Sequence, residues 1–138
     1  MKIKTSELTG RALDWAVAVA IGATEKTLPS GRKWMKLSDS DYYVSNRGLY
    51  NFDPSTDWAQ CGHLIEKYDI YPSRLYECSE NNLKKYQAGT GLACMRGETP
   101  KIAVCRAVVA TQLGREVDIP DELIERDIAN YAISKIVA

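Results

Sequence analysis

Apolar residues recur with the 3.6-residue period of a helix close to the amino terminus of the chain. The pattern predicts a first helix from about Ser6 or Thr9 to Ile21, because Ser or Thr can cap either start and Gly22 follows the end. Its predicted buried face consists of Leu8, Ala12, Trp15, Ala16 and Val19. We therefore expect this helix to pack one apolar face against the body of the protein.

Two further helices are predicted in the carboxy-terminal half of the chain. Thr99 and Pro100 suit the N-cap and first helical positions, and Gly114 marks the end of the helix that they begin. This helix is apolar nearly all round, which predicts deep burial. An extended segment at Val117–Ile119 precedes a last amphipathic helix, residues 121–137. Its apolar stripe predicts docking on its own domain or on a second copy of the chain.

The middle of the chain has the alternating pattern and short turns of antiparallel strands. A hairpin is predicted from Arg32–Leu37 and Tyr42–Val44, around the turn sequence SDSD. A three-strand meander is predicted at Ile70–Glu77, Leu83–Ala88 and Leu92–Met95. Because helices alternate with these strands, the predicted fold class is α+β: a layered α/β sandwich with an antiparallel sheet covered by helices. We expect the 138 residues to form a single domain.

Composition limits the classes of function that suit this chain. Lys and Arg number 18, Asp and Glu number 18, and the formal net charge is zero. Binding the phosphate backbone needs a basic surplus or a basic face, so this balance argues against general nucleic-acid binding. No apolar run approaches the roughly 20 residues of a membrane span. The segment MKIKTSEL lacks a signal-peptide core. We therefore expect a cytoplasmic protein that does not bind membranes.

Few residues have the spacing that is typical of a catalytic or metal-binding site. Cys61, Cys78, Cys94 and Cys105 form no C-x-x-C pair, so reduced thiols and no metal are expected. Cys61 and the only histidine, His63, would point to different faces of a helix. Phosphate-loop, dinucleotide-binding, nucleophile-elbow and zinc-protease motifs do not occur in the sequence. We predict no catalytic residue and no cofactor, and an enzyme is the less favoured class.

The sequence DPSTDW, residues 53–58, begins a predicted second helix. Ser55 or Thr56 can serve as its N-cap, Asp57 suits the helix dipole, and Trp58 would lie in the core. In a functional interpretation, free N–H groups at the same helix start hold a ligand. Asp57 would then bind a ribose hydroxyl or a base N–H. Both interpretations stay open on the sequence alone.

Arg106 is the only charged residue between positions 102 and 111. A buried arginine needs a partner, and Asp14, the only charged residue between positions 12 and 23, is the expected one. Alternatively, Arg106 holds a carboxylate or phosphate of a ligand with both ends of its guanidinium. Asp14 would then position it.

Tryptophan side chains offer flat faces on which a ring could stack. Trp34 is the best candidate, because the predicted hairpin around it is otherwise polar and offers it little core support. With the polar residues above, the predicted ligand-binding set is Asp14, Trp15, Trp34, Ser55, Thr56, Asp57, Trp58, Thr99 and Arg106.

Four blocks of sequence, in a fixed order, point to a family. The blocks are SELTGRALDWAVA at residues 6–18, PSTDWAQCG at 54–62, LIE at 64–66 and GETPKIAVCRAVVATQLGREVDIPDEL at 97–123. In order and spacing they resemble the NinX-like family of phage accessory proteins, which is similar in layout to a phage α/β/α sandwich domain. The resemblance implies a phage origin, an infected bacterial host cell as the location and a layered fold. It implies no particular biochemical activity, and residues 21–52 match none of the blocks.

The favoured function is a non-enzymatic phage accessory protein that binds a small nucleotide-like ligand. By sequestering a nucleotide-derived immune signal it would counter host antiphage defence, and a homo-oligomer is also expected. One alternative, a protein–protein inhibitor of a host factor, predicts a large exposed apolar or charged patch. Another, a nucleotide-processing enzyme, predicts that Asp14, Asp57 or His63 lies in a cleft with a shifted pKa.

Overall fold

A computed structural model describes residues 1–37, 41–46, 50–75, 85–90 and 93–124, and these residues form helices and antiparallel strands. The helices are α1 (Gly10–Ala20), α2 (Trp58–Tyr68) and α3 (Pro100–Leu113), with a 3-10 turn at Thr5–Glu7 before α1. The strands are β1 (Lys2–Lys4), β2 (Thr24–Thr27), β3 (Lys33–Lys36), β4 (Tyr43–Ser45), β5 (Tyr71–Arg74), β6 (Tyr86–Thr90), β7 (Ala93–Gly97) and β8 (Glu116–Asp118). The α+β fold class is confirmed. Within this described part of the chain, no helix is long and apolar enough to cross a membrane.

The strands form three separate antiparallel sheets, in the orders β1–β8, β2–β3–β4 and β5–β6–β7. The predicted hairpin corresponds to β3 and β4, and the predicted meander to β5–β6–β7. The hairpin and the meander lie in different sheets, whereas the sequence had suggested one shared sheet. The sequence patterns missed β2 because its four residues are all exposed and show no apolar alternation. They missed β1 because its partner, β8, lies near the other end of the described chain.

Helix α3 occupies the centre of the molecule. It contacts all three strands of the meander sheet, and it also contacts α1 and α2. Helix α1 contacts β3 and β4 in turn, so the layers follow the order meander sheet, α3, α1, second sheet. Every residue from Ala103 to Val109 is buried, including Arg106. The predicted deep burial of α3 is confirmed.

Helix α1 has nearly the predicted ends but not the predicted single apolar face. Thr9 precedes it, and Gly22 follows with a positive φ of 86°, a conformation that glycine adopts without strain. All residues from Ala12 to Ala18 are buried, including Asp14. The one-face prediction was wrong because α1 lies between α3 and the second sheet, so opposite sides of the helix are both covered.

The close packing of β7 on α3 requires glycine at position 97. A Cβ atom added there would lie 2.6 Å from the backbone nitrogen of Ala103, a distance that backbone atoms cannot accommodate without moving α3. Gly97→Ala is therefore expected to lower the free energy of unfolding by about 1–3 kcal/mol, measured by urea denaturation. Gly62→Ala on α2 is the matched control, since nothing lies within 4 Å of its added Cβ. An unchanged urea midpoint for Gly97→Ala would contradict this packing.

Candidate ligand site

The start of α2 is capped by its own chain. The carboxylate of Asp57 accepts hydrogen bonds from the backbone N–H groups of Ala59 at 2.9 Å and Gln60 at 3.2 Å. Asp57 is thus the N-cap, and the helix begins one residue later. The predicted N–H site for an anion or a ribose is therefore taken up by a side chain of the protein itself.

The predicted caps, Ser55 and Thr56, lie in a turn that precedes α2. The backbone N–H groups of Thr56 and Asp57 both donate to the carbonyl of Asp53, and this turn delays the helix. Thr56 is exposed, and its hydroxyl donates to the Asp53 carboxylate at 3.2 Å. The prediction that Ser55 or Thr56 caps the helix was wrong, because the turn at Asp53 includes residues 55 and 56 and the helix begins only at Trp58, after Asp57.

Asp14 holds this turn against α1. The backbone N–H of Ser55 donates to the Asp14 carboxyl at 3.0 Å, and both residues are buried. Burial raises the pKa of Asp14 to about 7, while the hydrogen bond from the backbone N–H of Ser55 opposes the shift. Asp14 is only 1% exposed. It therefore has the shifted pKa that the enzyme alternative predicts, but its carboxyl joins two parts of the core and does not line a cleft.

Arg106 joins three segments of the chain. Its Nε donates to the carbonyl of Leu8 at 2.9 Å, and one terminal nitrogen donates to the carbonyl of Arg96 at 2.8 Å. The same nitrogen lies 3.3 Å from the Glu98 carboxylate. Burial lowers the pKa of Arg106, and the Glu98 charge opposes that shift. The predicted pairing with Asp14 was wrong, because the guanidinium is directed toward the carbonyl of Leu8, in the segment before α1, and toward the end of β7. Because Arg106 is only 1% exposed, its guanidinium group is not accessible to a ligand.

Thr99 and two of the tryptophans have roles that the structure makes plain. The Thr99 hydroxyl accepts a hydrogen bond from the N–H of Ile102 at 3.1 Å, so its predicted capping role is confirmed. Trp15 is buried in the core. Trp58 is 53% exposed, with the Lys101 ammonium 4.6 Å from its ring centroid. The prediction that Trp58 lies in the core was wrong, because the late start of α2 makes it the first residue of the helix, on the outside.

The described cysteines and the histidine form no catalytic pair. Cys61 and Cys105 are buried, with their thiols hydrogen-bonded across the contact between α2 and α3. Burial raises the pKa of Cys105, and the hydrogen bond from Cys105 lowers the pKa of Cys61. His63 is exposed on α2, away from the buried Cys61. Cys94 is free and exposed, and Cys78 lies outside the described residues. Within the described ranges, no group of three His, Cys, Asp or Glu side chains is placed to hold a metal ion.

Three cavities of the described chain, of about 530, 510 and 330 Å³, bear on a ligand site. The first of them has an acidic rim. Its volume is about 530 Å³, and its lining includes the core residues Trp15 and Met35. The charged side chains around it are Glu25, Lys33, Asp118, Asp121 and Glu122. The terminal amine pairs with Asp118 at 2.9 Å, which raises the pKa of the amine and lowers that of Asp118. Because carboxylates outnumber cations here, this cavity is poorly suited to a phosphate group.

The smallest of the three, a concavity of about 330 Å³, lies on the opposite side of the β2–β3–β4 sheet. It is lined by Leu28, Arg32, Trp34 and Tyr43. The ammonium of Lys26 lies 5.3 Å from the centroid of the Trp34 ring. Among the residues that the structure describes, the buried indole N–H of Trp34 and the buried Nε of Arg32 have no hydrogen-bond partner. Two unpaired donors beside an aromatic ring suit a polar, planar ligand, which would accept their hydrogen bonds and stack on the ring.

Strand alternation explains why these side chains meet. Met35 of β3 and Val44 of β4 are paired and buried toward α1, so their neighbours point outward. Lys26 is paired with Trp34, and Lys36 with Tyr43, on that outward side. We name this surface the outer face; it consists of Lys26, Leu28, Arg32, Trp34, Lys36 and Tyr43. Of the nine predicted ligand-binding residues, only Trp34 belongs to it. Alternation within RKWMK, residues 32–36, was the signal that could have identified Arg32 and Lys36.

A family model described as bacteriophage P22 NinX matches residues 4–112. The chain belongs to the NinX family. The match confirms the resemblance drawn from the four sequence blocks and places this NinX protein among phage accessory proteins. It also covers residues 21–52, which none of those blocks includes and which carry the outer face. The sequence has no match among curated proteins.

Proposed function

We propose that this NinX family member binds a small nucleotide-like ligand without converting it, and that the ligand lies in the concavity at Trp34. In the cytoplasm of an infected bacterial host, it would sequester a nucleotide-derived immune signal and so counter antiphage defence. The observation that carries the proposal is the half-buried Trp34 ring, with a cation beside it and two buried N–H donors that lack partners.

Each part of the concavity matches a part of such a ligand. A base can stack on the indole, an interaction worth about 1–3 kcal/mol, once the Lys26 side chain moves aside. The ammonium of Lys26 is then free to pair with a phosphate oxygen. The indole N–H and the Arg32 Nε are buried, so they would donate to acceptor atoms of the ligand only after the side chains that cover them move aside. At about 330 Å³, the concavity lies at the lower end of the usual size range of ligand pockets.

The chemistry of the lining supports binding rather than catalysis. Leu28, Arg32, Trp34 and Tyr43 offer apolar surface and hydrogen-bond donors, and they include no carboxylate or imidazole that could act as a general base. The other predicted ligand residues serve the fold. Ser55 and Asp14 fasten the turn before α2, Thr99 caps α3, and Arg106 joins β7 to the start of α1.

Trp34→Ala is expected to weaken nucleotide binding about tenfold or more, because it removes both the stacking surface and one N–H donor. The measurement is isothermal titration calorimetry of the full chain with AMP, GMP, CMP and UMP. Trp58→Ala is the matched control, since Trp58 likewise stands beside a lysine but lies on α2. Loss of binding in Trp58→Ala alone would place the ligand elsewhere. Recovery of a chemically altered nucleotide would replace sequestration with the enzyme alternative.

A further inference from the structure

The outer face has a row of three side chains, two on β3 and one, Arg32, just before it. Arg32, Trp34 and Lys36 alternate with inward-facing residues, so neighbours in the row stand about 7 Å apart, at roughly 3.4 Å per residue. The indole thus has a cation on each side along the strand direction. Lys26 of β2 stands beside the indole, and Tyr43 of β4 stands beside Lys36.

One side of this sheet carries only positive charge. Lys26 and Lys36 lie at outward strand positions, Arg32 lies just before β3 in the same concavity as Trp34, and none of the outward strand positions is acidic. The opposite side is mixed, because Glu25 and Lys33 both line the cavity with the acidic rim. A chain of zero net charge therefore presents a basic face that composition alone does not reveal. Zero net charge therefore does not exclude the binding of nucleic acid at this face.

Cations on both sides of an aromatic ring match a base that has a phosphate on both sides. A mononucleotide has a phosphate on one side only, whereas an internal unit of a phosphodiester chain has one before and one after its base. In a duplex the bases are stacked inside and cannot lie on the indole, so the row fits a single strand. Charge complementarity and stacking therefore favour the same partner.

We infer that the outer face binds single-stranded nucleic acid, with a base on Trp34 and the flanking phosphates on Arg32 and Lys36. The inference rests on the proposed function, because it uses the same concavity and names a larger class of ligand for it. Tyr43, beside Lys36, offers a second ring for the adjacent base. Lys26 pairs with a phosphate when a base displaces it from the indole.

The test is fluorescence anisotropy of the full chain with labelled eight-nucleotide oligothymidylate and oligouridylate. Unlabelled TMP, UMP, an eight-base-pair duplex and inorganic tripolyphosphate serve as competitors. The oligonucleotides are expected to bind at least tenfold more tightly than the mononucleotides. With three phosphate contacts, the logarithm of affinity should fall with the logarithm of salt concentration with a slope of about −2.

Substitutions test whether the row of side chains is responsible for oligonucleotide binding. Lys36→Ala is expected to weaken oligonucleotide binding severalfold more than mononucleotide binding, and to reduce the salt slope by about 0.7. Lys2→Ala, an exposed lysine on β1, is the matched control. Trp34→Ala should weaken both kinds of ligand.

Each alternative outcome either supports or overturns the binding of single-stranded nucleic acid. Oligonucleotide binding no tighter than mononucleotide binding would overturn the inference and leave the small-ligand function standing. Absence of binding for both would overturn both. Equal competition by the duplex or by tripolyphosphate would show that charge alone is recognised and would also overturn the inference. Tight oligonucleotide binding with no mononucleotide binding would support the inference and overturn the small-ligand function.

Discussion

Arg106→Met is expected to lower the free energy of unfolding by about 2–6 kcal/mol, because it leaves two carbonyl groups without donors, each at a cost of about 1–3 kcal/mol. These are the carbonyls of Leu8 and Arg96, which Arg106 joins at 2.9 and 2.8 Å. Methionine can fill much of the apolar volume of the arginine stem, so the loss should reflect the missing hydrogen bonds. Urea denaturation followed by circular dichroism at pH 7 measures the difference.

Two control variants separate the hydrogen bonds of Arg106 from its ion pair. Glu98→Gln removes the charge partner, and a small effect is expected because the Glu98 side chain is 37% exposed. Arg96→Met removes an exposed arginine whose backbone alone contacts Arg106, and its stability should change by no more than about 0.5 kcal/mol. If Arg106→Met unfolds at the wild-type urea concentration but no longer binds nucleotide, Arg106 belongs to the ligand site, as the functional interpretation of the sequence proposed.

Asp14→Asn is expected to make the protein more stable at pH 8 and to have little effect at pH 4. Burial raises the pKa of Asp14 from 3.8 to about 7, so the fold favours the protonated carboxyl. The stability that this provides is fully present below about pH 4, the pKa of an unfolded aspartate, and is lost as the pH rises through 7. At about 1.4 kcal/mol for each pKa unit, the loss is on the order of 4 kcal/mol. Asparagine stays neutral, and its carbonyl oxygen can accept the hydrogen bond from Ser55.

The measurement is the difference in free energy of unfolding between Asp14→Asn and wild type at pH 4, 5, 6, 7 and 8. The gain should be smaller than the full shift, because the asparagine NH₂ group also needs a partner in the core. Asp41→Asn, at an exposed aspartate, serves as the control and should show no such trend. A constant difference between Asp14→Asn and wild type across this range would mean that Asp14 is not a protonated, buried acid in the folded protein.

Much of the helical structure could be predicted from short stretches of sequence. Thr99 and Pro100 start α3, and Gly114 follows its end, because capping needs only groups within a few residues of each other. The start of α2 shows the limit of such signals. Ser55 and Thr56 were the predicted caps, whereas Asp57 caps the helix. The choice depended on the turn around Asp53 and on a hydrogen bond from Ser55 to a carboxyl 41 residues away.

The candidate site was predicted in part. Trp34 was identified from its polar surroundings, and the structure places it in the concavity of the outer face. Its neighbours Lys26 and Tyr43 come from other strands, and only the pairing register brings them together. Strand β2, which carries Lys26, has no buried residue and so no hydrophobic pattern from which it could be predicted.

By itself, the sequence determined the α+β fold class, the family, the ends of α1 and α3 and the deep burial of α3, because capping groups and apolar periodicity act over a few residues. Only the tertiary structure decided the partner of Arg106, the burial of Asp14, the exposure of Trp58 and the basic outer face of the second sheet. These features depend on which faces of α1, α3 and the sheets remain open after packing. That outcome is a property of contacts between distant parts of the chain.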